Sequence, residues 1–326
     1  GCTDATTDEN VWVNIGGGFG NYGKSFGGKG PGTVAGYSGG GYQLSITTVV
    51  STINRYTFGS ATSGATHGDL SVARQKNSGT SSLTHGYSSG GGVVATDEII
   101  DKFAFASNTT ATRHGSLLIP CFYSRGGASS SATHGYTASG QSSPAGAYEN
   151  RIEKNSFASD ATSTDNGDLT LARSTVGGHS SDTHGFVSNG NAAACGLCVT
   201  IDKYSFASEG NAVDHGDLFV ARYAGDGFSS STDGYVSGGH IGASRTNAID
   251  KFAFSSNVTA SDHGNLTVGK AASNESSSTT HGYSAGGYES PAFFQSIDKF
   301  AFGSAADATD HGDLTIAIRY GSGHQY

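Results

Sequence analysis

The chain has no methionine, a single tryptophan, four prolines and four cysteines among its 326 residues, and charged side chains make up only 14% of it. Each shortage excludes something. The missing methionine leads to the expectation that this stretch was cut from, or continues, a longer chain. No apolar run reaches the roughly 20 residues that span a bilayer as a helix, and no signal-peptide pattern opens the sequence. With 18 Lys and Arg against 27 Asp and Glu, the formal charge is −9, and no basic cluster stands out. Nucleic acid is therefore not expected as a partner, because phosphate binding needs a positive footprint. Four cysteines allow three pairings and are too sparse to staple a small scaffold, although their even number fits an extracellular compartment.

What is abundant is glycine, at 51 residues, together with 17 Phe and 15 Tyr. Glycine and hydroxyl residues alone would describe a flexible linker, but the regular recurrence of aromatic and aliphatic residues provides material for a core. The recurrence is periodic. Gly-aromatic pairs stand at Gly36-Tyr37, Gly86-Tyr87, Gly135-Tyr136, Gly185-Phe186, Gly234-Tyr235 and Gly282-Tyr283, spaced 50, 49, 50, 49 and 48 residues apart. A second marker, Ile-acid-Lys-aromatic, places Asp101, Asp202, Asp250 and Asp298 at matching positions, with weaker copies at Asn54 and Glu153. A third, His-Gly-Asp-Leu and its variants, places His67, His114, His215, His263 and His311, with Asn166 in the remaining copy. Three markers in constant order define six units.

Within a unit, Asp101, Phe103 and Phe105 share one face at period two, as do Leu70, Val72 and Arg74, which predicts strands with one buried side. Turn-forming Ser, Gly, Asn and Asp lie between them, and no helical period is sustained. A sheet of three or four such strands cannot bury both faces alone, whereas radial stacking buries both and leaves only short edges. The expected fold is all-β, a six-bladed β-propeller of about 49 residues per blade. A β-solenoid is the rival, but its coils are much shorter. Residues 1–32 form a lead-in with one expected strand at 11–15, and residues 33–326 form one propeller of units near 33–80, 81–129, 130–179, 180–228, 229–277 and 278–326.

The motifs invite chemistry that repetition argues against. The histidines would line a metal-binding channel only if several imidazoles reached one ion at about 2.0–2.1 Å, and Asn166 is a poor transition-metal ligand. Histidines and aspartates that satisfy backbone groups in turns are the better reading. No metal or cofactor is expected. The recurring acids suggest ion pairing or capping within or between blades rather than the paired carboxylates of a glycosidase. The Thr-His pairs (Thr84-His85, Thr133-His134, Thr183-His184, Thr280-His281) present no singular nucleophile. Cys195 and Cys198 make half a zinc site at most, and a local disulfide in an inserted loop is expected there.

The Gly-Tyr-x-x-Gly-Gly turn, the acid-x-aromatic strand and the arginine-ended strand resemble a shortened kelch repeat, although the tryptophan of kelch motifs is missing. The stretches 211–222, 201–208 and 280–284 are more similar to repeats of structural proteins in cyanophages and other marine phages. That resemblance covers roughly residues 33–326 and implies a propeller on a virion component such as a tail fibre or head appendage, with no catalytic residue carried over. The resulting expectation is a non-enzymatic structural and binding module, extracellular or on a virion. Its partners would be neighbouring appendage subunits, or a host-surface glycan or protein. The contacts would lie in loops that vary between units, around Gln141, Tyr148, Asn189, Ala194, His240 and Arg245. A carbohydrate-active enzyme is the alternative; it requires an asymmetric cluster of acid, Arg and Tyr residues that breaks the repeat, and none is visible in the sequence. A purely architectural subunit is the third reading.

Overall fold

The computed structural model describes residues 32–92, 97–121 and 127–326. The strand expected at 11–15 and Cys2 lie outside them. The described residues are all-β, and six small antiparallel sheets close into a six-bladed propeller. The second blade shows the pattern: Ser78–Ser81 is innermost, followed outward by His85–Ser89, Ile99–Ala104 and Thr112–Ser116. The fourth repeats it with Gly177–Ser180, His184–Ser188, Gly196–Ser205 and Val213–Arg222.

Closure uses both ends of the repeat region. The first blade contributes Ala35–Gln43, Thr48–Thr57 and Ala65–Asp69, and its innermost strand is Ser322–Gln325, paired antiparallel to Ala35–Gln43. Four of the six innermost strands straddle a boundary between sequence units and the other two lie just before one, so blades run a few residues out of phase with the units. Six buried hydrogen bonds link these strands in a circle: the backbone N–H groups of Ser81, Ser130, Ser180, Ser229, Ser277 and Gln325 each donate to the side-chain oxygen of the next, and Gln325 returns to Ser81 at 3.3 Å. Short Ser and Gly side chains let the six strands approach closely enough for this.

Two expected elements are placed differently. The His-Gly-Asp segments are not turns; they lie in the outermost strand, each next to a β-bulge. The Leu-x-Val-x-Arg segment is a strand only in the fourth blade and elsewhere leads to the next blade, with Leu70 and Arg74 buried and Val72 half-buried.

The core is divided among the six blade interfaces, each with its own apolar cluster. At every interface the aromatic of the Gly-aromatic pair stacks on a ring from the next blade, for example Tyr87 on Phe157 and Phe186 on Phe254, both with centroids 4.6 Å apart. Such pairs contribute about 0.5–1.5 kcal/mol beyond their buried area. The glycine is there because a Cβ at Gly86 would lie 2.3 Å from the Phe103 ring of the neighbouring strand. The histidines of the outer strands reach the next blade: Nε2 of His67, His114, His215, His263 and His311 hydrogen-bonds the carbonyls of Ala104, Ser156, Ala253, Ala301 and Thr57 at 2.7–2.9 Å. Behind His263, Gly264 has φ 117° and a Cβ there would stand 2.7 Å from the carbonyl of Ala306, so the edge strand is covered by the following blade's loop.

The recurring aspartates meet buried cations across four interfaces, in Arg74–Asp101, Arg173–Asp202, Arg222–Asp250 and Lys270–Asp298, with N–O distances of 2.5–3.3 Å. Burial raises the pKa of Asp202 and Asp250 while the facing arginine lowers it, and burial likewise pulls Lys270 down. At the interface between the sixth and first blades, Ile318 occupies the cation's position and Asn54 the acid's. Between the second and third blades Cys121 replaces the cation, and Glu153 accepts from the backbone N–H groups of Leu118 and Ile119 at 2.7 and 3.0 Å.

Candidate functional site

Each chain segment runs outward through antiparallel strands, so all connections from second to third strand emerge at one end of the propeller. The connections to the next blade emerge at that same end, and the tight turns after the innermost strands lie at the opposite end. The three loops singled out in the sequence, 141–148, 189–194 and 240–245, are all second-to-third connections and share one face. The insertion in the fourth blade's connection is pinned by a Cys195–Cys198 disulfide with Cα atoms 5.5 Å apart.

A seventh apolar cluster stands on this face and, among the described residues, has no counterpart in the other blades: Ala224, Ala271, Ala272 and Tyr288, flanked by Tyr223, Phe293 and Tyr320. Local sequence explains its construction. In the fifth and sixth blades the connecting loops fold into two-residue hairpins, His240–Ile241 with Ser244–Arg245 and Tyr288–Glu289 with Ala292–Phe293. Pairing fixes their side chains, and isolated bridges from Tyr223 to His240 and from Ala271 to Tyr288 tie each hairpin to the strand connection beside it.

The cluster is a connected polar and aromatic system. His240 stacks on Tyr223 with centroids 4.4 Å apart, and its Nε2 hydrogen-bonds the Tyr288 hydroxyl at 2.8 Å. That hydroxyl lies 3.3 Å from the Tyr320 hydroxyl. The Arg245 guanidinium lies 4.8 Å from the Tyr288 ring centre and pairs with Glu289 at 3.5 Å. Arg319 lies among four rings, with its guanidinium carbon 4.3 Å from the ring centre of Tyr288, 4.6 Å from Phe293, 4.8 Å from Tyr320 and 5.6 Å from Tyr42. Burial, reinforced by the charge of Arg319, pushes the Lys76 amine down to about 8. Burial also raises the Tyr223 hydroxyl, with Tyr288 adding to the effect and Arg245 opposing it. Chemically, this is a set of half-exposed rings, hydroxyls and guanidinium groups, suited to stacking on and hydrogen-bonding a ligand rather than to transferring protons between carboxylates.

Of the loop residues read from the sequence, the structure brings His240 and Arg245 into this cluster. Tyr148 donates its hydroxyl to Asn191 at 2.5 Å, joining the loops of the third and fourth blades. Asn189 is buried in a left-handed conformation, with its amide on the Gly225 carbonyl at 3.3 Å. Gln141 ends a strand, and Ala194 is exposed at the tip of the pinned loop. The expectation that no asymmetric Arg and Tyr cluster breaks the repeat is corrected: Tyr42, Tyr223, Tyr288, Phe293, Arg319 and Tyr320 were missed. They come from three blades, and only Tyr42 and Tyr288 share a motif position, as the last residues of Gly-Tyr-Ser-x-Gly-Gly-Tyr at 36–42 and 282–288. The other signal was Tyr320, an aromatic where other units have Lys76, Thr175, Ala224 and Ala272.

A lesser departure lies between the second and third blades, where Leu117, Ile119, Cys121, Thr137, Glu149 and Arg151 line a small cavity beside Glu153. Burial pushes the Cys121 thiol up to about 12 and raises Glu153, which suits an inert thiol rather than a nucleophile. No protein family matches this chain, and no curated protein is similar to it in sequence.

Proposed function

We propose that this protein is a non-enzymatic binding module of an extracellular or virion appendage, which recognises a surface glycan or protein through the propeller face that carries the second-to-third-strand loops. The observation that carries the reading is the asymmetry of that face. Six interfaces repeat the same stacks and inner hydrogen bonds, and five of them the same histidine bond, as a scaffold would. The Tyr288–Arg319 cluster departs from them, and Tyr and Arg in partly exposed clusters are the residues that dominate recognition sites. The similarity of the repeats to marine phage structural proteins supports the appendage assignment, and the scarcity of basic residues supports a partner other than nucleic acid.

The test is a comparison of the unmodified domain with two loop variants, residues 242–244 and 290–292 each replaced by Gly-Ser-Gly, on a glycan array and in pull-downs from candidate host surfaces. Both variants should melt within a few degrees of the parent, because the changes fall on exposed loop tips. Binding should fall at least about tenfold in one or both, a loss of roughly 1.4 kcal/mol. Unchanged binding in both would sink the proposal, as would turnover of a bound glycan.

A further inference from the structure

Arg319 has five N–H donors in a planar fork, and a guanidinium held in protein ordinarily satisfies them on carboxylates, carbonyls or water. Here the Nε atom is buried without a hydrogen-bond partner, and among the described residues the side chain makes no ion pair. The side chain is half-buried, so part of the fork still faces outward. Aromatic faces compensate the charge in part, yet they satisfy no N–H group. Arg74 and Arg173 also leave Nε without a partner, but they and Arg222 each sit on an aspartate and on backbone carbonyls, which Arg319 does not. Lys76 lies near enough to Arg319 for the two charges to disfavour each other, and Glu289, the acid of this cluster, is engaged by Arg245. In a chain of net charge −9, this face therefore gathers the guanidinium of Arg319 beside the half-buried rings of Tyr42, Phe293 and Tyr320 and the adjoining hydroxyls of Tyr288 and Tyr320.

We infer that the cleft around Arg319, Tyr288, Phe293, Tyr320 and Tyr42 is a subsite for an acidic saccharide, a sugar ring carrying a carboxylate or sulfate. The anion takes the outward donors of Arg319 in a charge-assisted, two-point contact. The ring's C–H face packs on Phe293 or Tyr42, and its hydroxyls meet those of Tyr288 and Tyr320. A neutral sugar gains the stacking alone and leaves the guanidinium unsatisfied. A purely structural Arg319, held by its four rings, would favour no charged sugar over a neutral one. The inference rests on the binding-face reading above and names its ligand class.

The experiment is isothermal titration with three galactose-based oligosaccharides of equal length: oligogalacturonate, a sulfated galactan fragment and the neutral galactan. At least one acidic probe should bind about tenfold or more tightly than the neutral one. Preference between the two acidic probes identifies which anion the site takes. Arg319→Gln should bring acidic and neutral probes to within about twofold of each other, and Arg319→Lys should retain part of the preference, because it keeps charge but not the fork. If Arg319→Gln fails to fold, the unmodified protein still decides the matter: raising salt from 0.05 to 0.5 M should weaken the acidic probe several-fold and leave the neutral one unchanged. Equal affinity for all three probes, no binding of either acidic probe at millimolar concentration, or full selectivity in Arg319→Gln overturns the inference. Neutral binding that the loop variants abolish would remove the anion subsite and leave the binding face standing, whereas loop variants without effect would remove both.

Discussion

At the scale of single residues, the molecule holds an internal experiment on buried charge. Taking an arginine and an aspartate out of water costs several kcal/mol per ion, and their attraction only roughly offsets it. The pair at Arg222–Asp250 is fully buried, and burial pushes the Asp250 carboxyl up despite its partner. The equivalent positions at Ile318 and Asn54 show that the same interface closes with no ions at all. Arg222→Ile alone should therefore cost about 3–5 kcal/mol, because it strands a buried carboxylate and frees the carbonyls of Gly238 and Ala248. Adding Asp250→Asn should recover more than half of that loss. Urea melts of the two single variants and the double variant measure the coupling; strict additivity would show that the two sites do not communicate.

At the scale of elements, the turns after the innermost strands form a second repeated device. In four blades a threonine hydroxyl hydrogen-bonds the Nδ1 of the adjacent histidine, as Thr84 with His85 at 2.8 Å and Thr280 with His281 at 2.7 Å. Burial lowers the pKa of His85, His134, His184 and His281, and the nearby lysines lower it further. Each imidazole thus binds its proton more weakly folded than unfolded. The associated stability is complete above the ordinary histidine value of about 6.5 and is lost as pH falls below it toward the folded value. Denaturant melts between pH 7.5 and 5 should show this decline, and a variant with all four histidines changed to Asn should flatten it. The fifth blade already uses Asp233 in that position, bonded to Thr232 at 2.7 Å.

The number of units and the strands of each small sheet were legible in the sequence, because the chain must build them six times. The inner strands were harder. Ser78–Ser81 and its equivalents have almost no apolar residues and no alternation, since neighbouring backbones rather than side chains bury them. The His-Gly-Asp segment read as a turn because Gly and Asp usually signal one; covering by the next blade's loop holds it as an edge strand. The Arg319 site was legible only in fragments, in the loop residues His240 and Arg245. Its residues lie between positions 42 and 320, and only the ring closure brings Tyr42 to Arg319.

At the scale of the whole molecule, the closing strand couples everything else. Ser322–Gln325 supplies two of the six links in the inner circle and positions the Arg319–Tyr320 segment just before it. Deleting residues 322–326 should therefore lower the melting temperature by at least about 10 °C, or replace one cooperative transition with several. It should also weaken the binding proposed for the Arg319 cluster, whose Arg319–Tyr320 segment runs straight into this strand. Calorimetry and size-exclusion chromatography read both effects; a deletion that melts like the parent would show that the circle is not needed for closure.

The same pairing has a mechanical side. Gly36 lies opposite Gln325, and the backbone N–H groups of Val34 and Ala35 both bond the carbonyl of Tyr326, so the two ends of the propeller meet at one point of one sheet. Tension applied through residues 34 and 326 would load those hydrogen bonds one after another, peeling the closing strand away like a zip, instead of shearing all of them together. Peeling needs far less force than shear. A propeller held in this way resists heat through its ring but yields to a pull along its chain, and it works best as a pendant head that carries no tether load.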